Sequence, residues 1–116
     1  MIDARQLLPL TLLLLAALPA CIGPPEVPVT PLVISIDVAS DVNPDASGRP
    51  SPLVLRVYQL ADSEAFGASS FFDLYDDDRS ILGGALLDRR EITVEPGATS
   101  SLKLEKLASA REIAVV

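Results

Sequence analysis

Cys21, the only cysteine of the chain, directly follows Leu18-Pro19-Ala20 at the end of an apolar run that begins at Leu7. Arg5 and the free amine supply positive charge ahead of this run, which is too short to remain in a bilayer as a spanning helix. Positive charge, a short apolar core and small residues before a cleavage point are typical of a secretory signal. This placement predicts modification of the Cys21 sulfur after the chain is cut behind Ala20.

Residues 18–21 resemble a bacterial lipobox, in which the cysteine thiol is diacylated and the amino terminus freed by cleavage receives a third acyl chain. One acyl chain holds a protein only marginally, but at about 0.8 kcal/mol per buried methylene several chains form a stable anchor. We therefore predict signal cleavage at Ala20 and a covalent lipid on Cys21. Ile22 stands where an aspartate would favour inner-membrane retention, so the predicted location is the outer membrane. The alternatives for Cys21 are a buried core residue or half of an intermolecular disulfide.

Composition and charge argue against several classes of function. The chain has 9 basic and 16 acidic residues, a formal net charge of −7, and an acidic surface repels nucleic acid and anionic lipid head groups. It contains no histidine, so the commonest general base and metal ligand is missing and no Ser-His-Asp arrangement can be assembled. We predict no catalytic residue, no cofactor other than the lipid on Cys21, no small-molecule substrate and no nucleic-acid partner.

The densest charge cluster, residues 76–79 (Asp-Asp-Asp-Arg), is the one candidate for a cation site. A calcium loop of the EF-hand type needs oxygen ligands at alternating positions followed by a glycine. Here Tyr75 occupies one such position, and Ser80 and Ile81 stand where the glycine should be. The spacing fails, so we predict no metal site and interpret the cluster as the solvated, frayed C-terminus of a helix.

The chain divides into three predicted segments. Residues 1–20 form a lipoprotein signal peptide, and residues 21–31 form a lipidated tether in which four of the ten residues after Cys21 are proline. Proline fixes φ and favours extended backbone, so this tether is semi-rigid. Residues 32–116 form the folded domain. Because residues 111–116 have a strand pattern with no turn after it, we predict that the domain is incomplete at its C-terminal end.

Alternating apolar residues predict a mainly β fold, an antiparallel β-sandwich, with one short helical insertion. Ser70 and Asp73 have the spacing of a capping box, which predicts a helix over residues 70–78 with Phe71, Leu74 and Tyr75 on one face. Residues 79–87 are predicted to be irregular. The predicted strands are residues 32–39, 53–60, the two arms of a hairpin at 91–95 and 100–104 around Pro96-Gly97, and 113–116. Their alternation assigns to the core Ile36, Leu55, Val57, Ile92, Val94 and Leu102.

Residues 40–52, between the first two strands, contain almost every type of turn-forming residue. A connection of this length is uncommon in a compact domain unless it is disordered or functional. We interpret it as a partner-binding loop, with a disordered insertion as the alternative. Val42 is its candidate apolar contact, and the residues assigned to it are Asp41, Val42, Asn43, Pro44, Asp45, Ser47, Gly48 and Arg49.

In this order the features resemble the TssJ (VasD/SciN) lipoprotein family of the type VI secretion system. The most specific parts are Leu-Arg-Val-Tyr-Gln-Leu at 55–60 and Phe-Phe-Asp-Leu-Tyr-Asp at 71–76, with the lipobox and tether before them and the turn at 95–97 after them. The resemblance implies a transthyretin-like two-sheet sandwich with a small helical addition. It also implies an outer-membrane subunit, facing the periplasm, that binds the periplasmic domain of the inner-membrane protein TssM through the loop at 40–52.

Two other classes of function remain open at this point. A periplasmic carrier or chaperone lipoprotein would hold a small ligand between its sheets and would need an apolar cavity there. A subunit of an envelope hydrolase is disfavoured because histidine is missing. A well-packed core with a protruding polar loop would favour the binding module over both.

Overall fold

The computed structural model describes residues 22–116 of the chain. The predicted signal peptide with its cleavage residue Ala20, and the predicted lipidation residue Cys21, lie outside these described residues. Within residues 22–116 the chain forms five strands and two α-helices. In chain order these are β1 (Thr30–Asp37), β2 (Leu53–Leu60), α1 (Glu64–Ala68), α2 (Phe71–Leu82), β3 (Leu86–Val94), β4 (Thr99–Lys106) and β5 (Glu112–Val115), with a 3-10 turn at Gly83–Ala85 between α2 and β3.

The strands form two antiparallel sheets, which confirms the predicted mainly β fold with a short helical insertion. β1 pairs with β4 along its whole length, from Thr30 opposite Lys106 to Asp37 opposite Thr99. β2 is the central strand of the second sheet and lies between β3 and β5. Both edges of β2 are therefore paired with a neighbouring strand. As the central strand, β2 is also the strand best placed to be covered on both faces of its sheet.

The second half of β2, residues 57–60, is buried on both of its faces. One face meets the other sheet through the side chain of Gln59. Its Nε2 donates to the Glu105 carbonyl oxygen at 2.9 Å, and its Oε1 accepts from the Leu107 amide at 3.0 Å. The buried amide is therefore satisfied by backbone groups at the end of β4, and it ties the two sheets together.

The main hydrophobic core lies on the other face of β2, beneath the helices. Tyr58 and Leu60 are fully buried there against Leu74 and Leu82 of α2. The ring of Phe66 from α1 meets the Tyr58 ring edge-on, with 6.1 Å between the ring centroids. The core predicted from strand alternation contains none of the residues of this cluster. Of its six residues, Val57 and Val94 are buried, and those half-buried are Ile36, Leu55, Ile92 and Leu102.

Helix α2 begins where the sequence predicts, because Ser70 caps it. The Ser70 hydroxyl accepts from the Asp73 amide at 3.2 Å, and the Asp73 carboxylate accepts from the Ser70 amide at 3.0 Å, so the capping box is present. The helix continues to Leu82, with an interruption at Asp77, whose φ of −151° and ψ of 58° are not helical. Asp78, which follows this kink, is buried, so its assignment to a solvated, frayed helix end is wrong.

The predicted hairpin around Pro96-Gly97 is also wrong, although the turn itself is present. Gly97 has the positive φ of 74° that favours glycine, and the Ala98 amide donates to the Glu95 carbonyl at 3.1 Å. The chain then crosses to the other sheet, where the Val38 amide donates to the Ala98 carbonyl at 3.0 Å. β3 pairs with β2 and β4 pairs with β1, so the turn joins two sheets and not two neighbouring strands.

β3 starts at Leu86, inside the segment 79–87 that the sequence predicts to be irregular. Three charged residues, Asp88, Arg89 and Arg90, follow within the strand and obscure its alternation. The structure pairs these charges locally, with Arg90 Nε 3.1 Å from Asp88 Oδ2. Because each charge has a partner, the strand tolerates them, and β3 is nine residues long where five were expected.

Residues 22–29 precede β1 without regular secondary structure, and their side chains are exposed. Exposure reaches 90% at Ile22. β1 begins at Thr30, two residues before the predicted start of the domain at residue 32. Among the helices of residues 22–116, none is long and apolar enough to cross a membrane. The assignment of residues 21–31 to a lipidated tether stays a prediction.

Candidate docking surface

The connection between β1 and β2 has a tip that is ordered by its own hydrogen bonds. Asp45 Oδ1 accepts from the Ser47 amide at 2.8 Å and from the Arg49 amide at 2.9 Å, and Asp45 Oδ2 lies 3.0 Å from Arg49 Nε. The Gly48 amide closes the turn on the Asp45 carbonyl at 2.9 Å. The Arg49 amide hydrogen bond holds the pKa of the Asp45 carboxyl below its usual range, so the charged form that makes these contacts is favoured. The tip is a preformed turn.

The base of the loop is fixed by bonds across it. Asn43 has a φ of 46°, a left-handed conformation that asparagine tolerates, and its Nδ2 donates to the Pro52 carbonyl at 2.8 Å. The Ser51 amide donates to the Val42 carbonyl at 3.2 Å. Val42 is half-buried, so it supports the loop more than it offers an apolar contact. Those of the predicted loop residues that remain exposed are Asp41, Asn43, Pro44, Ser47, Gly48 and Arg49, and their role in binding stays a prediction.

This loop lies at the end of the sandwich opposite to the N-terminal segment. Residues 22–29 join β1 at Thr30, and the strand then runs for eight residues before the loop begins. At about 3.3 Å per strand residue, β1 separates the two ends by about 25 Å. The loop therefore faces away from the point at which the predicted lipid anchor would join the domain.

A surface groove of about 430 Å³ adjoins the base of the loop, and we call it the distal groove. Asn43 and Pro52 line it from the loop, Val54 from β2, and Phe71 and Tyr75 from the first turns of α2. Loop, sheet and helix thus contribute to one concave surface at the end that faces away from the N-terminal segment.

Three aromatic side chains of α2 are exposed beside or within the distal groove. Phe71, Phe72 and Tyr75 leave 55%, 70% and 59% of their surface accessible. Phe71 stacks on Tyr75 with 5.8 Å between ring centroids and meets Phe72 edge-on at 5.3 Å. The sequence predicts that Phe71, Leu74 and Tyr75 share one face of the helix, but only Leu74 is buried. The two aromatic residues of that face belong to the surface instead.

Behind these aromatic residues, an ionic network ties α2 to β2 and β3. Arg89 Nε lies 2.8 Å from Asp78 Oδ2, an ion pair without the alignment of a hydrogen bond, and the Tyr58 hydroxyl donates to the same oxygen at 2.8 Å. Arg56 Nε and Arg89 Nη2 both donate to Glu91 Oε2, at 3.1 and 3.2 Å. Two arginines therefore balance two carboxylates. The network has five side chains; Glu91 is half-exposed, and the other four are largely removed from water.

Arg56 connects this network to the aromatic residues. Its Nη1 donates to the carbonyls of Leu74 and Tyr75, both at 3.1 Å, just before the kink at Asp77. Its guanidinium carbon lies 5.3 Å from the centroid of the Tyr75 ring, within the range of a cation-π contact. A single arginine thus satisfies backbone groups beside the kink and supports the ring that lines the distal groove.

The protonation states of the network follow from burial and hydrogen bonding. Burial raises the pKa of the Tyr58 phenol, and its hydrogen bond to Asp78 raises it further, so Tyr58 stays a donor at neutral pH. Burial alone would lower the pKa of Arg56, but its hydrogen bond with Glu91 and the nearby charge of Asp78 outweigh that effect and leave the pKa raised. Within residues 22–116, no group of three or more acidic, histidine or cysteine side chains is placed to hold a metal ion.

A protein-family comparison matches residues 30–116 to a family described as type VI secretion lipoprotein, VasD, EvfM, TssJ. The match begins at the first residue of β1 and extends over both sheets, the loop and both helices. A comparison with curated proteins found no match. The family match therefore covers the loop at 40–52 and every element that lines the distal groove.

Solved structures share this fold. The type VI lipoprotein TssJ1 of Pseudomonas aeruginosa is 35% identical with a TM-score of 0.71, over 77% of this chain and 68% of that chain. Lip of Serratia marcescens, described as a membrane-bound component of the type VI secretion system, is 31% identical with a TM-score of 0.72, over 76% of this chain and 64% of that one. A structure described as a type VI membrane complex contains a chain of the same fold, 24% identical with a TM-score of 0.67, over 77% and 70%. This chain thus spans about two thirds of the length of these proteins.

Proposed function

The chain belongs to the type VI secretion lipoprotein family of VasD, EvfM and TssJ, and on that premise we propose that it is a structural, non-catalytic subunit of a type VI membrane complex. Its task is to hold a partner protein at the membrane. The observation that carries this proposal is the position of the preformed loop, at the end of the sandwich away from residues 22–29. A surface that faces away from an anchor is free to meet a partner.

The anchor that we propose is a lipid on Cys21, inserted in the outer membrane so that the domain faces the periplasm. The exposed residues 22–29 support this arrangement, because a proline-rich segment without secondary structure can lift the domain off the membrane. Lip from Serratia marcescens is described as membrane-bound, which agrees with this arrangement. No charge-driven membrane contact is needed, and the net charge of −7 disfavours one.

Replacing Cys21 by serine should release the protein into the soluble periplasmic fraction and abolish incorporation of radiolabelled palmitate, because serine offers no thiol for the acyl chains. Fractionation of cells that express the full chain measures both effects. Ile22→Ala is the matched control and should stay in the membrane fraction with its label. A Cys21→Ser protein that remains in the outer membrane would show that something other than a lipid holds it there.

The partner that we propose is the periplasmic domain of a TssM-like inner-membrane protein, which docks on the loop at 40–52. The tip formed by Asp45, Ser47 and Arg49 already holds its turn through the bonds described above. Such a loop loses little conformational entropy when it docks, so more of its contact energy appears as affinity. Its exposed polar side chains can then make oriented contacts across the interface.

Asp45→Ala should weaken binding of the TssM-like periplasmic domain about tenfold, because it removes the acceptor that shapes the tip. Calorimetric titration of that domain into the wild-type and variant lipoproteins measures the change. The matched control is Asp62→Ala, which also removes a carboxylate that accepts a backbone amide, at the opposite end of the domain. If both variants are folded and bind as tightly as wild type, the binding site lies elsewhere and the loop loses its proposed role.

A further inference from the structure

We propose that Asn43 is a positioning residue for docking, which fixes the direction in which the tip of the loop at 40–52 points before a partner arrives. Asn43 acts through the tip, residues 45–49, which its own hydrogen bonds shape into a turn. This inference rests on the proposed function, because a fixed direction matters only if a partner docks on the loop. It deepens that function by naming the joint on which the docking geometry depends.

The backbone of Asn43 has a conformation that its next neighbour in sequence disfavours. Its φ of 46° is the only positive φ of a residue other than glycine within residues 22–116. Pro44 follows it, and a residue that precedes proline is normally driven to extended backbone with a negative φ. A left-handed residue costs free energy and persists only where the surrounding structure holds it. Contacts beyond the Asn43-Pro44 pair therefore impose this conformation.

These contacts lie across the base of the loop, and we call them the base clamp. The Nδ2 atom of Asn43 donates to the carbonyl of Pro52 at 2.8 Å, at the residue directly before β2. Beside it, the Ser51 amide donates to the Val42 carbonyl at 3.2 Å. Asparagine suits this position because it tolerates a positive φ and also carries a short amide donor. Aspartate shares the tolerance but has no donor when ionised, and glycine has no side chain.

Little chain separates the base clamp from the tip, so the two move together. The tip closes on itself where the Asp45 amide donates to the Arg49 carbonyl at 2.8 Å. Pro44 is the one residue between Asn43 and the tip, and Pro50 follows the tip directly on the other arm. Because proline has a fixed φ, neither arm turns freely. Rotation at Asn43 is the main remaining joint, and it would swing the whole tip, including the Arg49 side chain, which is 78% exposed.

The shape of the tip and its direction therefore depend on different residues. The carboxylate of Asp45 keeps the shape, through bonds that span no more than four residues. Asn43 keeps the direction, through a bond that spans nine. Only molecules whose tip points in the docking direction can bind, so the apparent dissociation constant rises as the fraction of such molecules falls. Loss of the base clamp should weaken binding without removing any side chain of the tip.

Three substitutions in the full mature lipoprotein test the proposal. Asn43→Gly keeps the left-handed backbone and removes the donor, Asn43→Asp puts a carboxylate against the Pro52 carbonyl, and Asn43→Ala removes both the donor and the tolerance of a positive φ. Calorimetric titration of the TssM-like periplasmic domain should show binding weakened about threefold to tenfold for Asn43→Gly and Asn43→Asp, the factor that corresponds to one neutral hydrogen bond. Asn43→Ala should weaken it more than about tenfold, because alanine adds the cost of a left-handed residue.

The motion of the tip is the second measurement. Nitrogen-15 relaxation, including relaxation dispersion, should show motion of the amides of residues 45–49 in all three variants that is absent from wild type. Ser109→Gly is the matched control, since it also places a neutral glycine at an exposed turn, at the end of the sandwich opposite to the loop. It should match wild type in both measurements.

The outcomes separate this inference from the proposed function. If the wild-type lipoprotein does not bind the periplasmic domain at all, the proposed function fails and this inference fails with it. If wild type binds and folded Asn43→Gly binds equally well, the inference alone is overturned, and Asn43→Asp gives the same comparison if the glycine variant does not fold. Weaker binding with a tip as rigid as that of wild type would show that Asn43 contacts the partner directly, which contradicts a positioning role. Weaker binding together with a mobile tip, at position 43 and not at position 109, supports the proposal.

Discussion

Replacing Leu60 by alanine should lower the free energy of unfolding by about 2 to 5 kcal/mol, the range for truncating a fully buried leucine. Leu60 has no accessible surface, and its side chain packs with Leu74 and Leu82 between β2 and α2. Small domains are stable by only about 5 to 15 kcal/mol, so this loss should unfold a measurable fraction of the protein at 37 °C. The midpoint of urea denaturation, followed by circular dichroism, measures the change.

The matched control is Val33→Ala, which also shortens an aliphatic side chain in a strand but at a position that is 57% exposed. We expect its free energy of unfolding to lie within about 0.5 kcal/mol of wild type, as for most surface substitutions. Equal midpoints for Leu60→Ala and Val33→Ala would show that the layer between β2 and the helices is not the main core.

This core explains which parts of the fold the sequence could predict. β2 and the start of α2 have strong local signals, apolar alternation in one and a capping box in the other, and both are confirmed at their predicted N-terminal ends. The sequence does not show that residues 57–60 are buried on both faces, because each face carries a residue with a polar group, Gln59 on one and Tyr58 on the other. Their burial depends on Asp78 and on the end of β4, which are distant in sequence.

The assignment of strands to sheets was beyond the reach of local pattern. Period-two alternation identifies β4 and the second half of β3, and Gly97 identifies the turn between them, yet none of these signals distinguishes a hairpin from a crossing between sheets. The deciding contact is the bond from the Val38 amide to the Ala98 carbonyl, which joins residues 60 positions apart. Non-local pairing of this kind has no counterpart in the sequence window that predicts a turn.

The candidate site also has one part that the sequence could predict and one part that it could not. Composition alone located the loop at 40–52, and the Asp45, Ser47 and Arg49 spacing is a local signal for its turn. The exposed aromatic face could not be predicted, since apolar residues at helical spacing are normally buried. It is exposed because the kink at Asp77 and the bonds from Arg56 fix the helix so that Leu74, and not Phe71 or Tyr75, meets the core.

Asp78→Asn should lower the free energy of unfolding by about 3 kcal/mol, the low end of the range for removing one partner of a buried ion pair. Asp78 is the buried countercharge of Arg89 and Arg56 and also accepts from the Tyr58 hydroxyl. An asparagine has nearly the same shape and can still accept one hydrogen bond, but it leaves the arginines without that charge. The low end is expected because Glu91 still pairs with both.

Asp76→Asn provides the control for Asp78→Asn, since it makes the same change two residues away at an exposed position of the same helix. It should alter the free energy of unfolding by no more than about 0.5 kcal/mol.

Tyr58→Phe removes only the hydroxyl and should lower the free energy of unfolding by about 1.5 to 3 kcal/mol, the range for a hydrogen bond to a charged group. Because Tyr58 and Asp78 contact each other directly, the double variant should be more stable than the sum of the single losses predicts. Strictly additive losses would show that Tyr58 and Asp78 are not energetically coupled. An Asp78→Asn protein as stable as Asp76→Asn would show that this carboxylate does not hold α2 against the sheet.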